Sequence, residues 1–386
     1  MSREIAVGVD IGTTTTRVVV VEYVKKNVTP TIIGTATEKT NGLRHGYISN
    51  LNEVINSLKL VINIAEKNSG VKIKKAYVSI GGISLKSEIS QGISIISKGS
   101  EEVVGLDVKN AINDSREKLQ LSNRKIVYSD PISFKIDGEE VLGHPEGMQG
   151  VKLEVKTLFI TCLEQHFNDL VFAVEEAGIE VLDIIPSPIA SSLVALSKKQ
   201  KTVGCLLVNI GAETVSLAVF ENEKIISLKV FSIGSTDITN DIALGLKIPL
   251  VEAEQIKIGS LLGDYPKKKL DEIIEARLSD IFELIENHLK KIKRNELLPA
   301  GVILIGGGSN VSMIEELSKK MLKLPSKIGV LEYQKNKTRD SAWFVAYGLC
   351  LVGKKIIEQN LPNKSSNNSF KMMENFFSSI FKQLLP

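Results

Sequence analysis

Residues 3–23, REIAVGVDIGTTTTRVVVVEY, read as a strand, a short polar turn and a second strand, because β-branched residues fill both arms and Gly12 with its threonines interrupts them. Residues 204–222, GCLLVNIGAETVSLAVFEN, repeat the design. Laying Asp10, Ile11 and Gly12 on Asn209, Ile210 and Gly211 also aligns Thr15 with Thr214, Val20 with Val219 and Glu22 with Glu221. A repeat this far apart predicts a duplicated domain, not a solenoid of short units.

A small-residue turn between two strands leaves backbone N–H groups unobstructed, and threonine hydroxyls add donors, so each tip suits phosphate oxygens. Either hairpin alone is also compatible with an empty tight turn. A third element weighs against that. Residues 301–321, GVILIGGGSNVSMIEELSKKM, read as a buried strand, three glycines (Gly306, Gly307, Gly308), then Ser309 or Asn310 capping a helix. Bare backbone at a strand-to-helix junction lets a flat or anionic ligand approach closely. Two phosphate-type tips plus one glycine junction predict a nucleotide cleft between two halves.

At 386 residues the chain is long enough for at least two cores. Its composition, 43% apolar and 24% charged, is that of a globular protein. The formal charge is +3. Five lysines against two glutamates in residues 353–386 account for it, so the rest is near neutral and carries no nucleic-acid footprint. No signal peptide and no long uncharged apolar run are visible, so the body is expected in the cytosol. Cys162, Cys205 and Cys350 lie scattered in apolar segments and read as buried thiols; the four histidines show no metal-ligand spacing.

The two hairpins and the glycine junction, in this order, resemble the phosphate-one, phosphate-two and adenosine motifs of the superfamily of actin, hexokinase and the heat-shock ATPases. Within it the chain is most similar to the FtsA family of bacterial cell-division proteins. Residues 42–68 (GLRHGYISNLNEVINSLKLVINIAEKN) resemble that family's glycine-led loop and following helix, residues 76–97 the start of its inserted domain, and residues 150–192 the return from it. EAEQIKIGS (252–260) and SAWFVAYGLCLVG (341–353) complete the series.

The resemblance implies an α/β, two-lobed actin-like ATPase fold with an FtsA-type α+β inserted subdomain and a C-terminal amphipathic helix. The expected division is a first lobe at 1–83 with 163–200 and 338–358, an insert at 84–162, and a second lobe at 201–235 with 298–337. A small helical subdomain at 236–297, a linker at 359–369 and a tail helix at 370–386 complete it. The insert reads independently as strand near 89–96, helix near 108–119, and strand at 125–136 and 151–160. By resemblance, Gly12, Thr13, Thr14 and Thr15 face the phosphates of ATP, Asn209, Gly211 and Thr214 meet them from the other lobe, and Gly306, Gly307, Gly308 and Ser309 cradle the adenosine. Asp10 reaches Mg²⁺ through water; no residue ligates a metal directly. Glu254 and Lys257, three apart on one helical face, occupy the ribose position or form a solvated ion pair.

Three departures argue against rapid hydrolysis. Asn209 stands where the superfamily has aspartate, Glu213 adds an acid beside the phosphates, and Ser187 occupies the place of an acidic residue and is no general base alone. Thr15 also replaces a basic residue common in the family. Nucleotide is expected as an assembly ligand with weak or no turnover.

The chain ends SFKMMENFFSSIFKQLLP. Met373, Phe376, Phe377, Ile380, Phe381, Leu384 and Leu385, with Phe370, recur at helical steps opposite a polar face, after the soluble stretch QNLPNKSSNNS. This reads as an amphipathic helix that either lies in a membrane interface or docks on the body; bulky phenylalanines and a basic flank favour the membrane. One such helix binds weakly, and a polymer carrying one per subunit gains by avidity. The resemblance implies self-association into actin-like filaments that hold the tubulin-like protein FtsZ at the division septum, on the inner face of the cytoplasmic membrane. Arg277, in EARLSDIFEL on a long helix with Ile273, Leu278, Ile281, Leu284 and Ile285 as its packed face, is similar to the arginine-bearing segment that meets the FtsZ C-terminal peptide. The rivals are a PilM-type pilus-assembly protein and a sugar or acetate kinase of the same superfamily.

Overall fold

The computed structural model describes residues 4–23, 30–96, 101–260, 265–334 and 337–359. The first lobe begins with β1 (Glu4–Ile11), β2 (Thr15–Tyr23) and β3 (Thr31–Lys39), the small hairpin β4 (Leu43–Arg44) and β5 (Tyr47–Ile48), helix α1 (Leu51–Ser69) and β6 (Lys75–Ile80). Helix α1 starts because the Asn50 side chain accepts the Glu53 N–H, and stops at Gly70, left-handed at φ 68°. Val54, Leu58, Val61, Ile62 and Ala65 recur at helical spacing and are buried against the sheet.

The chain then leaves the lobe through β7 (Lys86–Ile95), α2 (Gly105–Glu117), β8 (Arg124–Ile136), β9 (Glu139–Val141) and β10 (Lys152–Leu163). These four strands form a separate sheet in the order β7-β10-β8-β9. Val108 and Ala111 of α2 close a small core with Phe134, Leu153 and Val155. The chain returns through α3 (Glu164–Glu176), β11 (Glu180–Pro186), α4 (Ser187–Ala195) and α5 (Lys198–Val203).

The second lobe consists of β12 (Cys205–Ile210), β13 (Val215–Glu221), β14 (Lys224–Phe231), α6 (Ser235–Leu246), α7 (Leu250–Lys257), α8 (Lys267–Lys291), β15 (Val302–Ile305), α9 (Ile314–Leu322) and β16 (Ser326–Ile328). A hairpin of β17 (Leu331–Gln334) and β18 (Lys337–Arg339) follows, and α10 (Phe344–Gln359) packs back on the first lobe, where the Tyr23 hydroxyl donates to the Cys350 carbonyl at 2.6 Å.

The duplication is visible in topology. The sheets run β11-β6-β1-β2-β3 and β14-β13-β12-β15-β16. In each, three successive antiparallel strands are extended on one side by two parallel ones. Parallel neighbours need a long crossover. Helix α1 supplies it in the first lobe and α6, α7 and α8 in the second. The insert also touches the second lobe: Ser87 Oγ donates to the Leu228 carbonyl at 2.8 Å and accepts its N–H at 3.0 Å, and the buried Asp130 pairs with Lys224 at 3.2 Å.

Two local readings are corrected. Ser309 and Asn310 do not cap α9; they sit in a 3₁₀ turn at Gly307–Asn310, and α9 starts at Ile314 after a left-handed Met313. The packed face of α8 is Leu270, Ile274, Leu278, Ile281, Phe282, Ile285 and Leu289, with Leu284 partly exposed. Residues 360–386, including Phe370, Met373, Phe376, Phe377, Ile380, Phe381, Leu384 and Leu385, lie outside the described residues.

Candidate functional site

A cavity of about 460 Å³ lies between the lobes. Its walls are the turn after β1, the turn after β12, the glycine junction after β15 and the ends of α4, α7 and α10. Asp10, Gly12, Thr13, Thr14, Thr15, Asn209, Gly211, Thr214, Glu254, Lys257, Gly306, Gly307 and Gly308 all line it. Of the residues expected there, Ser309 does not. Its side chain is fully buried, with Oγ donating to the Gly306 carbonyl at 2.7 Å and lying 2.6 Å from Ser341 Oγ. Ser309 shapes the junction from behind.

The two turns are built alike. Gly12 N–H donates to the Thr15 carbonyl at 3.2 Å, and Gly211 N–H to the Thr214 carbonyl at 2.9 Å. These glycine amides are therefore used within the turns. Among the described residues, the amides of Thr13, Thr14 and Ala212, which line the cavity, have no protein acceptor, so they are the donors open to a ligand. The first N–H groups of α6 fix the second turn: Ser235 donates to the Gly211 carbonyl at 2.9 Å and Thr236 to the Ala212 carbonyl at 2.8 Å. With their carbonyls tied to a helix N-terminus, the tip amides point the other way.

Each lobe brings one carboxylate and one cation to the cavity, Asp10 and Arg17 from the first, Glu254 and Lys257 from the second. The Asp10 carboxylate accepts the Ser79 hydroxyl at 2.7 Å; burial pushes it above the usual carboxylate range, against that bond and the nearby Arg17 charge. Arg17 lines the cavity opposite Asp10 in the β1–β2 register, with its guanidinium 5.9 Å from the centre of the Trp343 ring. It makes no ion pair among the described residues. Sequence reasoning missed it, though it lies two residues beyond Thr15 on one strand face. Lys257, by contrast, is engaged: its Nζ donates to the Ser235 carbonyl at 3.0 Å, to Thr239 Oγ1 at 2.8 Å and to Glu254 at 2.7 Å.

The glycine junction is a cradle with one open position. A Cβ on Gly306 (φ 91°) would lie 2.2 Å from Asn209 Oδ1, and one on Gly308 would lie 2.5 Å from Ile210 Cγ2. A Cβ on Gly307 meets nothing within 4 Å, so it would project into the cavity.

Of the two further residues expected near the phosphates, Glu213 departs from the sequence reading and Ser187 does not. Glu213 is not among the lining residues; its carboxylate accepts the His45 backbone N–H at 2.6 Å instead of facing the phosphate space. Ser187 lines the cavity at the start of α4, and no acidic side chain hydrogen-bonds to it among the described residues. His166 also lines it, but burial lowers its imidazole pKa to about 4, so it is a neutral group near pH 7. Arg277 lies elsewhere, on α8. Its guanidinium binds Asp241 through two bonds, 2.6 and 3.0 Å long, and approaches Asp280 at 3.3 Å.

Among the described residues no cluster of three His, Cys, Asp or Glu side chains is placed to hold a metal, and no helix is long and apolar enough to cross a membrane. A Mg²⁺ fit therefore rests on Asp10, phosphate oxygens and water, the usual mode for that ion.

Comparison with known proteins gives two family matches. The profile "Cell division protein FtsA" matches residues 206–348, and "SHS2 domain inserted in FTSA" matches residues 82–161. The chain is 28% identical to the cell division protein FtsA of Pseudomonas aeruginosa over 97% of its own length and 95% of the relative's. It is 30% identical to that of Borreliella burgdorferi, over 86% of this chain and 85% of the relative. Among solved structures, the PilM-PilN type IV pilus biogenesis complex superposes with a TM-score of 0.68 at 17% identity, covering 90% of this chain and 98% of that one. MreB 5 of Spiroplasma citri bound to AMPPNP superposes at 0.52 with 14% identity, covering 92% and 98%. At these identities the structures attest an actin-like fold only.

Proposed function

Because the chain belongs to the FtsA family of cell-division proteins, we propose that it binds Mg-ATP in the interlobe cavity, self-assembles, and anchors FtsZ filaments to the cytoplasmic membrane at the division site. The observation that carries the reading is the cavity: two turns with unsatisfied amides face each other, and Gly307 leaves room for a base at the side. The donor set fits a nucleotide triphosphate with Mg²⁺. Thr13, Thr14, Ala212 and Thr214 bind phosphate oxygens, Arg17 adds a cation, and Glu254 reaches the ribose from α7, held by Lys257. Asp10, positioned by Ser79, receives hydrated Mg²⁺, whose charge stabilises the ionised carboxylate that burial disfavours. Asn209 and Ser187, which stand where the superfamily has acids, supply no general base of their own, so slow turnover is expected.

Two surfaces support assembly and partner binding. Edge strand β7 exposes Ile89, Ile93 and Ile95, an unusual run for a free edge. On α6, Leu244 is 77% exposed one turn from Asp241 and its partner Arg277. A peptide mixing acidic and apolar residues suits that combination, its carboxylate competing with Asp241 for Arg277. The PilM reading shares the fold, but end-to-end sequence relatives are cell-division proteins.

The test is co-sedimentation of FtsZ with anionic vesicles. FtsZ is expected to pellet only when the full chain is present, and Phe377→Glu with Phe381→Glu is expected to abolish pelleting while the melting curve is unchanged. FtsZ remaining in the supernatant with the parent protein overturns the anchoring role.

A further inference from the structure

Glu213 occupies the position in the second turn that Thr14 occupies in the first, yet it reaches across to the other lobe. Its Oε2 accepts the His45 N–H at 2.6 Å, and its carbonyl lies 3.1 Å from His45 Nδ1, which donates in the tautomer this contact requires. His45 is the tip of the β4–β5 hairpin, left-handed at φ 49° and followed by Gly46 at φ 84°. Gly46 and Gly82 abut so closely that a Cβ on Gly46 would lie 2.4 Å from Gly82 Cα, and the Ile83 N–H donates to the His45 carbonyl at 3.2 Å. Beside them the His166 ring lies 5.0 Å from that of Tyr47 and 2.6 Å from Ser84 Oγ. Arg124 then donates to the Ser84 carbonyl at 2.7 Å and the Thr161 carbonyl at 3.0 Å. The hairpin is thus gripped on one side by a turn that faces the ligand space, and on the other by the points where the insert leaves and rejoins the first lobe.

We propose that the β4–β5 hairpin is a latch across the cleft: Glu213 holds it shut, slows release of bound nucleotide, and passes the occupancy of the cleft to the root of the insert. The proposal rests on the nucleotide reading above and adds a regulatory element to it. Ala212 lines the ligand space with its amide unpaired while the adjoining Glu213 carboxylate holds His45, so a ligand that draws this turn inward moves the hairpin with it. The Gly46–Gly82 contact leaves no slack, so that motion arrives at residues 81–84. Coupling of this kind is reciprocal. A partner that shifts the insert root changes nucleotide affinity by the same factor.

The test uses the full chain and the release of a fluorescent N-methylanthraniloyl ATP analogue chased with excess Mg-ATP, together with amide hydrogen exchange with and without Mg-ATP. Glu213→Ala is expected to release the analogue about tenfold or more faster, as fits loss of a hydrogen bond to a charged group. It is also expected to lose the ATP-dependent protection of residues 81–87 that the parent shows. His45→Gly keeps the backbone N–H and the left-handed turn and removes only the ring, so an effect of about threefold is expected. Should Glu213→Ala fold poorly, Glu213→Gln, which keeps a neutral acceptor, is expected to fall between them. Parental release rates in the Glu213 variants, or protection of 81–87 that persists in them, make the contact a static one and overturn the latch. A parent that binds no nucleotide overturns the reading of the cleft and the latch with it.

Discussion

In the first lobe the turn after β1 sets Asp10 opposite Arg17; in the second, the turn after β12 sets Asn209 opposite Ser216 at the same register. All four line the cavity, and both turns close with the same glycine-to-threonine hydrogen bond. The backbone was kept and the chemistry divided. One turn carries the carboxylate and the cation that a phosphate–metal ligand requires; the other is uncharged toward the ligand and spends its acid, Glu213, on the opposite lobe. Duplication thus fixes where amides point, and side chains at matched positions are free to specialise.

The largest effect is expected where the second lobe has three glycines after β15 and the first has Gly81 and Gly82 after β6. Gly307→Leu adds a side chain at a cavity-lining position where the Cβ meets no protein atom within 4 Å, so Mg-ATP affinity should fall by more than about a hundredfold, about 2.7 kcal/mol, at an almost unchanged melting temperature. Its neighbour behaves oppositely. Gly308→Leu overpacks against Ile210 and Ser235 and should cost roughly 2 to 3 kcal/mol, about 2 to 4 °C in melting temperature. Calorimetry and thermal melting on the pair decide this; parental ATP binding by Gly307→Leu places the base outside this junction.

That contrast also marks how much was legible beforehand. Strand periodicity and the repeat exposed the paired hairpins, and the insert's β7, α2, β8 and β10 fall within a few residues of the stretches read as strand and helix, because alternation and helical spacing are local signals. The location of Ser309 and the partner of Glu213 were not legible. Ser309 looked like a cap because capping residues and buried hydroxyls are the same residue types, and only the Ser341 contact, 32 residues away, tells them apart. Glu213 looked like a phosphate neighbour because its hydrogen-bond partner lies 168 residues away. Arg17 was not legible because a lone arginine in a strand carries no local signal of which side of the sheet it lines, and only the register opposite Asp10 places it in the cavity wall.

The outer parallel strands sharpen the comparison in a second way. In the first lobe β11 carries Asp183, whose pKa burial raises to about 7 despite the Ile184 N–H bonded to it; in the second, β16 is Ser326, Lys327 and Ile328, with no carboxylate. A raised carboxylate pKa means the folded state binds the proton more tightly than the unfolded chain, whose value is 3.8. The stability it contributes is present below about pH 4 and is lost as pH rises through about 7. Asp183→Asn should therefore match the parent near pH 4 and exceed it near pH 8, by on the order of a few kcal/mol. Chemical denaturation across that range is the check. Parallel stability curves for parent and variant place the first lobe's pH sensitivity elsewhere.

The smallest effect is expected at Arg17, and it bears most directly on the division of chemistry between the turns. The residue is half-buried in the cavity wall, free of ion pairs among the described residues, and close enough to lower the Asp10 pKa against burial. Arg17→Ala removes a charge-assisted contact to phosphate at a site open to water, so a loss of roughly 1 to 2 kcal/mol, about five- to thirtyfold in Mg-ATP affinity, is expected. Because the contact is electrostatic, the parent's affinity should fall more steeply with salt than the variant's. Arg17→Lys keeps the charge but not the planar fork and should recover part of the loss. Ser216, its counterpart, supplies the control: Ser216→Ala removes a hydroxyl without changing charge and should leave the salt dependence as in the parent. If Arg17→Ala and Ser216→Ala alter affinity and salt dependence alike, the first turn holds no privileged cation, and the asymmetry between the lobes is one of packing alone.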